Sequence, residues 1–244
     1  MATFIELIAD NSKLTPDQVE HLEQLVAEWR LLADLSFADL VLWLPIRKDE
    51  KSWPVGYIAI AQIRPTTAAT VFSNDLIGST VNWGMRPILD QALSAGEIVR
   101  DSVPELIGEI MIKEESVPVI FAGKTLAIIS RHRNADLMRS PSKLELNYRE
   151  IAHKIFRMVA EGSFPIRNSI YNSESTPRVG DGLIRLDANG IIFFASPNAR
   201  SALSRVGYQS EIEKQNLGEL FASLSKGDKQ PTDESWQTLL SGKF

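Results

Sequence analysis

Between Ala33 and Asp39 the apolar residues of this chain change their spacing, and that change rules out an all-helical or all-strand fold. Upstream, Val19, Leu22, Leu25, Val26, Trp29, Leu32 and Ala33 recur at intervals of three and one, which places them on one helical face. Thr15-Pro16-Asp17-Gln18 supplies the start: a capping threonine, a proline at the first helical position, and a glutamine that closes a capping box. Downstream, Asp39 to Leu44 is a short apolar run that Pro45 is expected to stop, and Gly56 to Ile63 resumes a strand pattern after the polar tip Lys48 to Ser52. The pattern predicts two adjacent antiparallel strands. A second long helix is predicted from Ser142 to Ala160, closed by Gly162 and Pro165. Helices enclosing antiparallel strands make the fold α+β.

Residues 64 to 82 read as irregular, and Met85 to Leu93 as a short helix ended by Gly96. Strands are expected at Gly108–Ile112, Val117–Phe121 and Leu126–Ser130, the last two joined by a turn at Ala122-Gly123-Lys124. Residues 163 to 177, rich in Ser, Asn and Pro, read as a linker between a first domain (1 to 162) and a second (178 to 244). In the second, Gly182–Asp187 and Ile191–Ala195 flank Asn189-Gly190, a strong hairpin signal. Ser196-Pro197-Asn198 then opens a helix, and Asn216–Leu224 and Trp236–Leu240 read as further helical turns.

The chain has no cysteine, which excludes disulfides, thiolate metal sites and cysteine nucleophiles. Its formal net charge of -5 does not attract phosphate backbones or anionic membrane surfaces. The N-terminus lacks the basic and apolar segments of a signal peptide, and no run approaches the length of a membrane span. The expectation is a cytoplasmic protein with neither nucleic acid nor membrane as partner. No nucleophile stands with a general base, and no glycine-rich loop of phosphate-binding pattern is present, so no catalytic, cofactor or metal residue is assigned.

Binding candidates are few. Trp29 and Trp43 fall on apolar faces and read as core, whereas Trp53 and Trp83 are candidates for a pocket rim. Arg131-His132-Arg133 follows a strand and is a candidate anion site, with Arg131 and His132 at a pocket mouth. Phe193 and Phe194 alternate on one strand, so at most one faces a cavity, and Asn198 reads first as a helix cap or turn brace. Leu144, Tyr148, Ile151, Ile155 and Met158 form a seam on the second long helix, able to cover the sheet or to meet a second copy.

Glu28 to Trp43 (EWRLLADLSFADLVLW), Ile129-Ser130-Arg131-His132 and Met158 to Pro165 (MVAEGSFP) resemble the N-terminal domain of PdtaS-type sensor histidine kinases of actinobacteria. Pro177 to Leu203 is similar to the opening of the PAS domain in that family. The resemblance implies a GAF-like antiparallel sheet flanked by helices, followed by a PAS-like α+β domain. It also implies a cytosolic homodimer coupled through the seam above, an unknown small-molecule signal, and a response regulator with an RNA-binding antiterminator domain as partner. ATP and magnesium would belong to a kinase domain following an H-R-V-K-N-N-L-type phosphoacceptor helix. None of these kinase motifs occurs before Phe244. The expectation is therefore a fragment that regulates a kinase without being one, with a PAS sheet lacking its last three strands. The alternative is a stand-alone GAF module binding a ligand or protein.

Overall fold

Thr3 and Thr15 open the first two helices by the same device. Each threonine hydroxyl accepts from the amide three residues on, and Glu6 or Gln18 accepts from the threonine amide in return. Helix α1 (Phe4–Asn11) had no counterpart in the periodicity; α2 (Pro16–Ser36) buries Leu22, Leu25, Trp29, Leu32 and Ala33, the predicted face, with Val19 and Val26 half-buried. The structure, a computed structural model, describes residues 2–49, 52–100, 103–107, 109–135, 140–166 and 178–224. The chain divides between residues 177 and 178 into two compact units.

Among the described residues the first unit is built on seven antiparallel strands: β1 (Asp39–Ile46), β2 (Gly56–Ile63), β3 (Thr80–Asn82), β4 (Val99–Arg100), β5 (Glu105–Ile107), β6 (Ile110–Phe121) and β7 (Lys124–Asn134). Their order is β3-β2-β1-β7-β6-β4, with β5 pairing to β6. Pro45 does not stop β1 as expected: it stands opposite Tyr57 on β2. Pairing of β1 with β7 has ended at Trp43, so Pro45 occupies a locally free edge, where a missing amide is tolerated. The two strands expected before Gly123 are one strand, β6, because Lys113 to Ser116 pair without a break with Ser130 to Arg133. The turn to β7 has Ala122 and Gly123 both at positive φ, 49° and 77°, the geometry of a two-residue primed hairpin.

Both faces of the sheet are covered, which is why nearly every residue of β1 is buried. Helix α3 (Pro87–Ala95) lies on one face. There Leu89, Ala92 and Leu93 meet Val41, Trp43, Tyr57, Ala59 and Ile128, and Phe72 and Leu76 from the long loop 64–79 pack beside them. Alternation along β1 sends Leu40, Leu42 and Leu44 to the opposite face. Helix α4 (Lys143–Glu161) packs on β6 and against α2, capped by Ser142 and ended by Gly162 in the left-handed region. It buries Tyr148, Ala152, Phe156 and Val159. Of the predicted seam, only Tyr148 belongs to that face; Leu144, Ile151, Ile155 and Met158 form a half-exposed stripe beside it.

The second unit opens with a single 3-10 turn (Val179–Asp181) and a two-stranded sheet, β8 (Ile184–Leu186) with β9 (Ile192–Ala195). The Asp187 carboxylate accepts from the amides of Asn189 and Ile191 and fixes the Asn189-Gly190 turn. Helices α5 (Pro197–Arg205) and α6 (Leu217–Leu224) complete a small core of Ile192, Ala195, Ala199, Leu203, Ile212, Leu217 and Leu220. The fully buried Ser196 hydroxyl accepts from Leu183 and Ala199, joining the strand entry to the helix start. The predicted turns at Trp236–Leu240 and most of the predicted linker lie outside the described residues.

Candidate functional site

Alternation along β7 separates the three residues that the sequence offers together. His132 faces α3, whereas Arg131 and Arg133 face α4, so Arg131 and His132 do not share a pocket mouth. His132 is buried beside Ser130 and Trp43. The Trp43 indole N–H donates to Ser130 Oγ at 2.8 Å, and Ser130 Oγ stands 2.8 Å from His132 Nε2. An indole only donates, so the serine accepts from Trp43 and gives its own proton to Nε2. The imidazole is then neutral, with its proton on Nδ1. Burial, helped by the nearby Arg86 guanidinium, pushes the His132 pKa down to about 3. Arg86 lies over the Trp43 ring and pairs with Glu114, and Phe72 meets His132 edge-on at 4.8 Å. This face holds a buried polar network in which His132 Nδ1 has no hydrogen-bond partner.

The loop that covers that network is fastened at the corner between α2 and β1. The Asp34 carboxylate accepts from the amide and hydroxyl of Thr66 at 2.6 and 2.9 Å, and the Asp34 carbonyl accepts from the Thr67 hydroxyl at 2.7 Å. Asp39 accepts from the Thr70 hydroxyl at 2.6 Å and the Val71 amide at 2.8 Å. Asp39 is fully buried, and burial raises its pKa against these hydrogen bonds.

The α4 side carries an open cleft of about 510 Å³ at the far ends of β6 and β7. Phe37, Thr67 to Ala69, Lys113, Arg133, Glu145 and Arg149 line it. A smaller hollow of about 130 Å³ has Arg100, Lys113, Arg131 and Arg133 with Glu114 and Glu115 around it. Glu115 is buried and is shared by two guanidinium groups, Arg100 at 2.6 Å and Arg131. Burial draws the Arg131 pKa down, and Arg133, Arg100 and Arg149 add repulsion while Glu115 opposes it. Arg133 is drawn down by burial and then by Arg149. Phe37 sits under Arg149, whose guanidinium is 5.9 Å from the ring, in the left-handed region at φ 52°. A third cavity of about 280 Å³ lies near Lys13, Arg47, Lys124 and Leu93.

The remaining candidates fall elsewhere. Trp53 is 61% exposed and meets Trp83 edge-on at 5.1 Å, while Trp83 stacks on Tyr57 and packs on the α3-side core. Phe193 is half-exposed beneath Arg185. The Asn198 amide donates to the Gly180 carbonyl at 2.9 Å and braces the entry to β8, while Ser196 caps the helix. Arg133 belongs to the Arg131-His132-Arg133 cluster that the sequence offers as an anion site, whereas nothing in the sequence singles out Lys113 or Arg149. The alternation that groups Arg131 with Arg133 was available, but the register with β6 and the approach of α4 were not. Among the described residues, no group of three or more His, Cys, Asp or Glu side chains is placed to hold a metal.

Comparison with known proteins agrees with this architecture. The family described as "Histidine kinase PdtaS, GAF domain" matches residues 4–152. Sensor histidine kinase PdtaS of Mycobacterium tuberculosis is 36% identical over 248 aligned residues, taking in 99% of this chain and 48% of the relative. The protein of the same description from Mycolicibacterium smegmatis is 38% identical over 220 residues, 89% of this chain and 43% of the relative. The chain thus spans about half the length of the curated relatives it matches. A solved structure described as the sensor region of a sensor histidine kinase superposes with a TM-score of 0.77 at 33% identity, over 100% of this chain and 84% of that one.

Proposed function

This chain belongs to the PdtaS family of sensor histidine kinases and carries its GAF domain, and from that premise we propose that it regulates, without performing, autophosphorylation and phosphotransfer to a response regulator. The observation that carries the reading is a match along 99% of the chain that takes in 48% of the relative's length. In this reading the response regulator is of the antiterminator type, and ATP and magnesium serve only a kinase domain outside this sequence. The protein works in the cytoplasm; among the described residues no helix is long and apolar enough to cross a membrane. The reading frame beyond residue 244 tests the assignment. A phosphoacceptor helix of H-R-V-K-N-N-L type followed by an ATP-binding domain is expected. A stop codon with no adjacent kinase region would overturn it in favour of a stand-alone GAF binding module.

In the same reading the first domain is the GAF sensor, residues 163 to 177 are a linker, and 178 to 244 are the first part of a PAS domain. The Asp187-fixed hairpin and the Ser196-capped helix that follows support this order of elements. The protein is a homodimer, coupled through the stripe of Leu144, Ile151, Ile155 and Met158 on α4. These apolar residues stay half-exposed although the helix has already buried Tyr148, Ala152, Phe156 and Val159. Replacing both Ile151 and Ile155 with aspartate is expected to halve the mass in solution while the far-ultraviolet spectrum stays unchanged. A folded variant that keeps the parent's mass removes the dimer reading. A small molecule is the signal, and native mass spectrometry of protein purified from cells tests for one that co-purifies.

A further inference from the structure

We propose that the cleft on the α4 side, between the ends of β6 and β7 and the first turns of α4, binds a small polyvalent oxyanion. Among the described residues the charges there do not balance. Arg100, Lys113, Arg131, Arg133 and Arg149 converge on the cleft and its adjoining hollow. Glu115 already serves both Arg100 and Arg131, and Glu145 is taken by Arg149 one turn along α4. Glu114 at the rim is engaged by Arg86 on the other face. Lys113 and Arg133 have no ion-pair partner among the described residues, although both are half-buried.

Two further observations point to an acceptor-rich ligand. Arg149 Nε is buried without a hydrogen-bond partner although its side chain lines the cleft. A buried donor left without an acceptor is costly, and an anion that reaches it removes that cost. The volume, about 510 Å³, lies in the range of ligand sites and admits an anion larger than orthophosphate. Guanidinium groups on neighbouring elements suit several oxygens of one ligand, each bond being charge-assisted. Desolvation and mutual repulsion of Arg131 and Arg133 are the penalties such a ligand would relieve.

The site extends beyond the signal-input reading and does not depend on it, since it rests on the first unit alone and the reading-frame test leaves it untouched. Titration calorimetry of the 244-residue chain with inorganic pyrophosphate at low ionic strength tests it. One saturable site per chain is expected. Arg133→Gln and Lys113→Gln should each weaken binding by roughly ten-fold or more, and Arg47→Gln, in the separate cavity, should leave it unchanged. Without anion, Arg133→Gln should raise the thermal midpoint, because a repelled charge has gone. Binding that never saturates, or equal affinity in Arg133→Gln, would overturn the proposal. So would a lowered midpoint in that variant, which would make the arginine a structural tie.

Discussion

Ser130 shows how much one hydroxyl decides. It has two buried neighbours, an indole that can only donate and an imidazole nitrogen that must accept. Ser130→Ala strands both, and urea unfolding is expected to report a loss of about 1–3 kcal/mol. His132 carries the pH dependence of the same network. Its folded pKa, about 3, lies below the unfolded value of 6.5, so the unfolded chain binds the proton first. The stabilising contribution is complete above pH 6.5 and drains away as pH falls toward 3, at about 1.4 kcal/mol per pH unit for one proton. In His132→Phe that component of the slope is absent, and denaturation midpoints between pH 6.5 and 4 measure the difference. The sequence names Ser130 and His132 but not their roles. A residue's face on a strand is legible from alternation, whereas its partners lie on strands far away in sequence: Trp43 and Ser130 are 87 positions apart.

At the scale of elements the sequence is most legible where a single local signal decides. The capping box at Thr15, the helix ends at Gly96 and Gly162 and the Asn189-Gly190 turn all stand where their residues put them. Edges were harder to read. β3, β4 and β5 have two or three residues each, too few to show a period, and exist because longer neighbours offer them hydrogen bonds. The β6–β7 turn invites improvement. Ala122 holds φ 49°, a region unfavourable to alanine and suited to asparagine. Ala122→Asn is expected to stabilise the protein by about 1 kcal/mol, visible as a rise in thermal midpoint. Gly56 has the opposite outlook. A Cβ there would come within 2.3 Å of the Val81 carbonyl oxygen, against backbone that cannot yield without parting β2 from β3. Gly56→Ala should cost about 1–3 kcal/mol, and hydrogen exchange should show protection lost first at Ile58 and Val81.

At the scale of the whole molecule the two units differ in what supports them. Among the described residues, the first has seven strands with helices on both sides, and the second has two short strands and a core of seven buried residues. Two-stranded sheets are marginal in water without further packing. Amides of β8 and β9 are expected to exchange well before those of β1, β6 and β7. Equal protection in the two sets would show that the second unit draws stability from more than its own core. The division into α+β units was legible from the change of apolar period and the polar stretch that follows α4. The cleft was not, because β6, β7, α4, the end of α2 and the loop 64–79, which line it, meet only when the sheet is assembled.

The loop 64–79 borders the arginine cleft with Thr67 to Ala69 and covers the histidine network with Phe72 and Leu76; Asp34 pins it at Thr66 and Thr67, where the first stretch begins, and Asp39 pins it at Thr70 and Val71, between the two. Three residues after Asp34, Phe37 lies under Arg149 of α4. One corner of the chain therefore borders both faces of the sheet. Whatever displaces that corner from one side acts on the other, and thermodynamic reciprocity makes the influence equal in both directions. A substitution at Phe72 that alters anion affinity in the cleft would have to be matched by anion-dependent packing around His132.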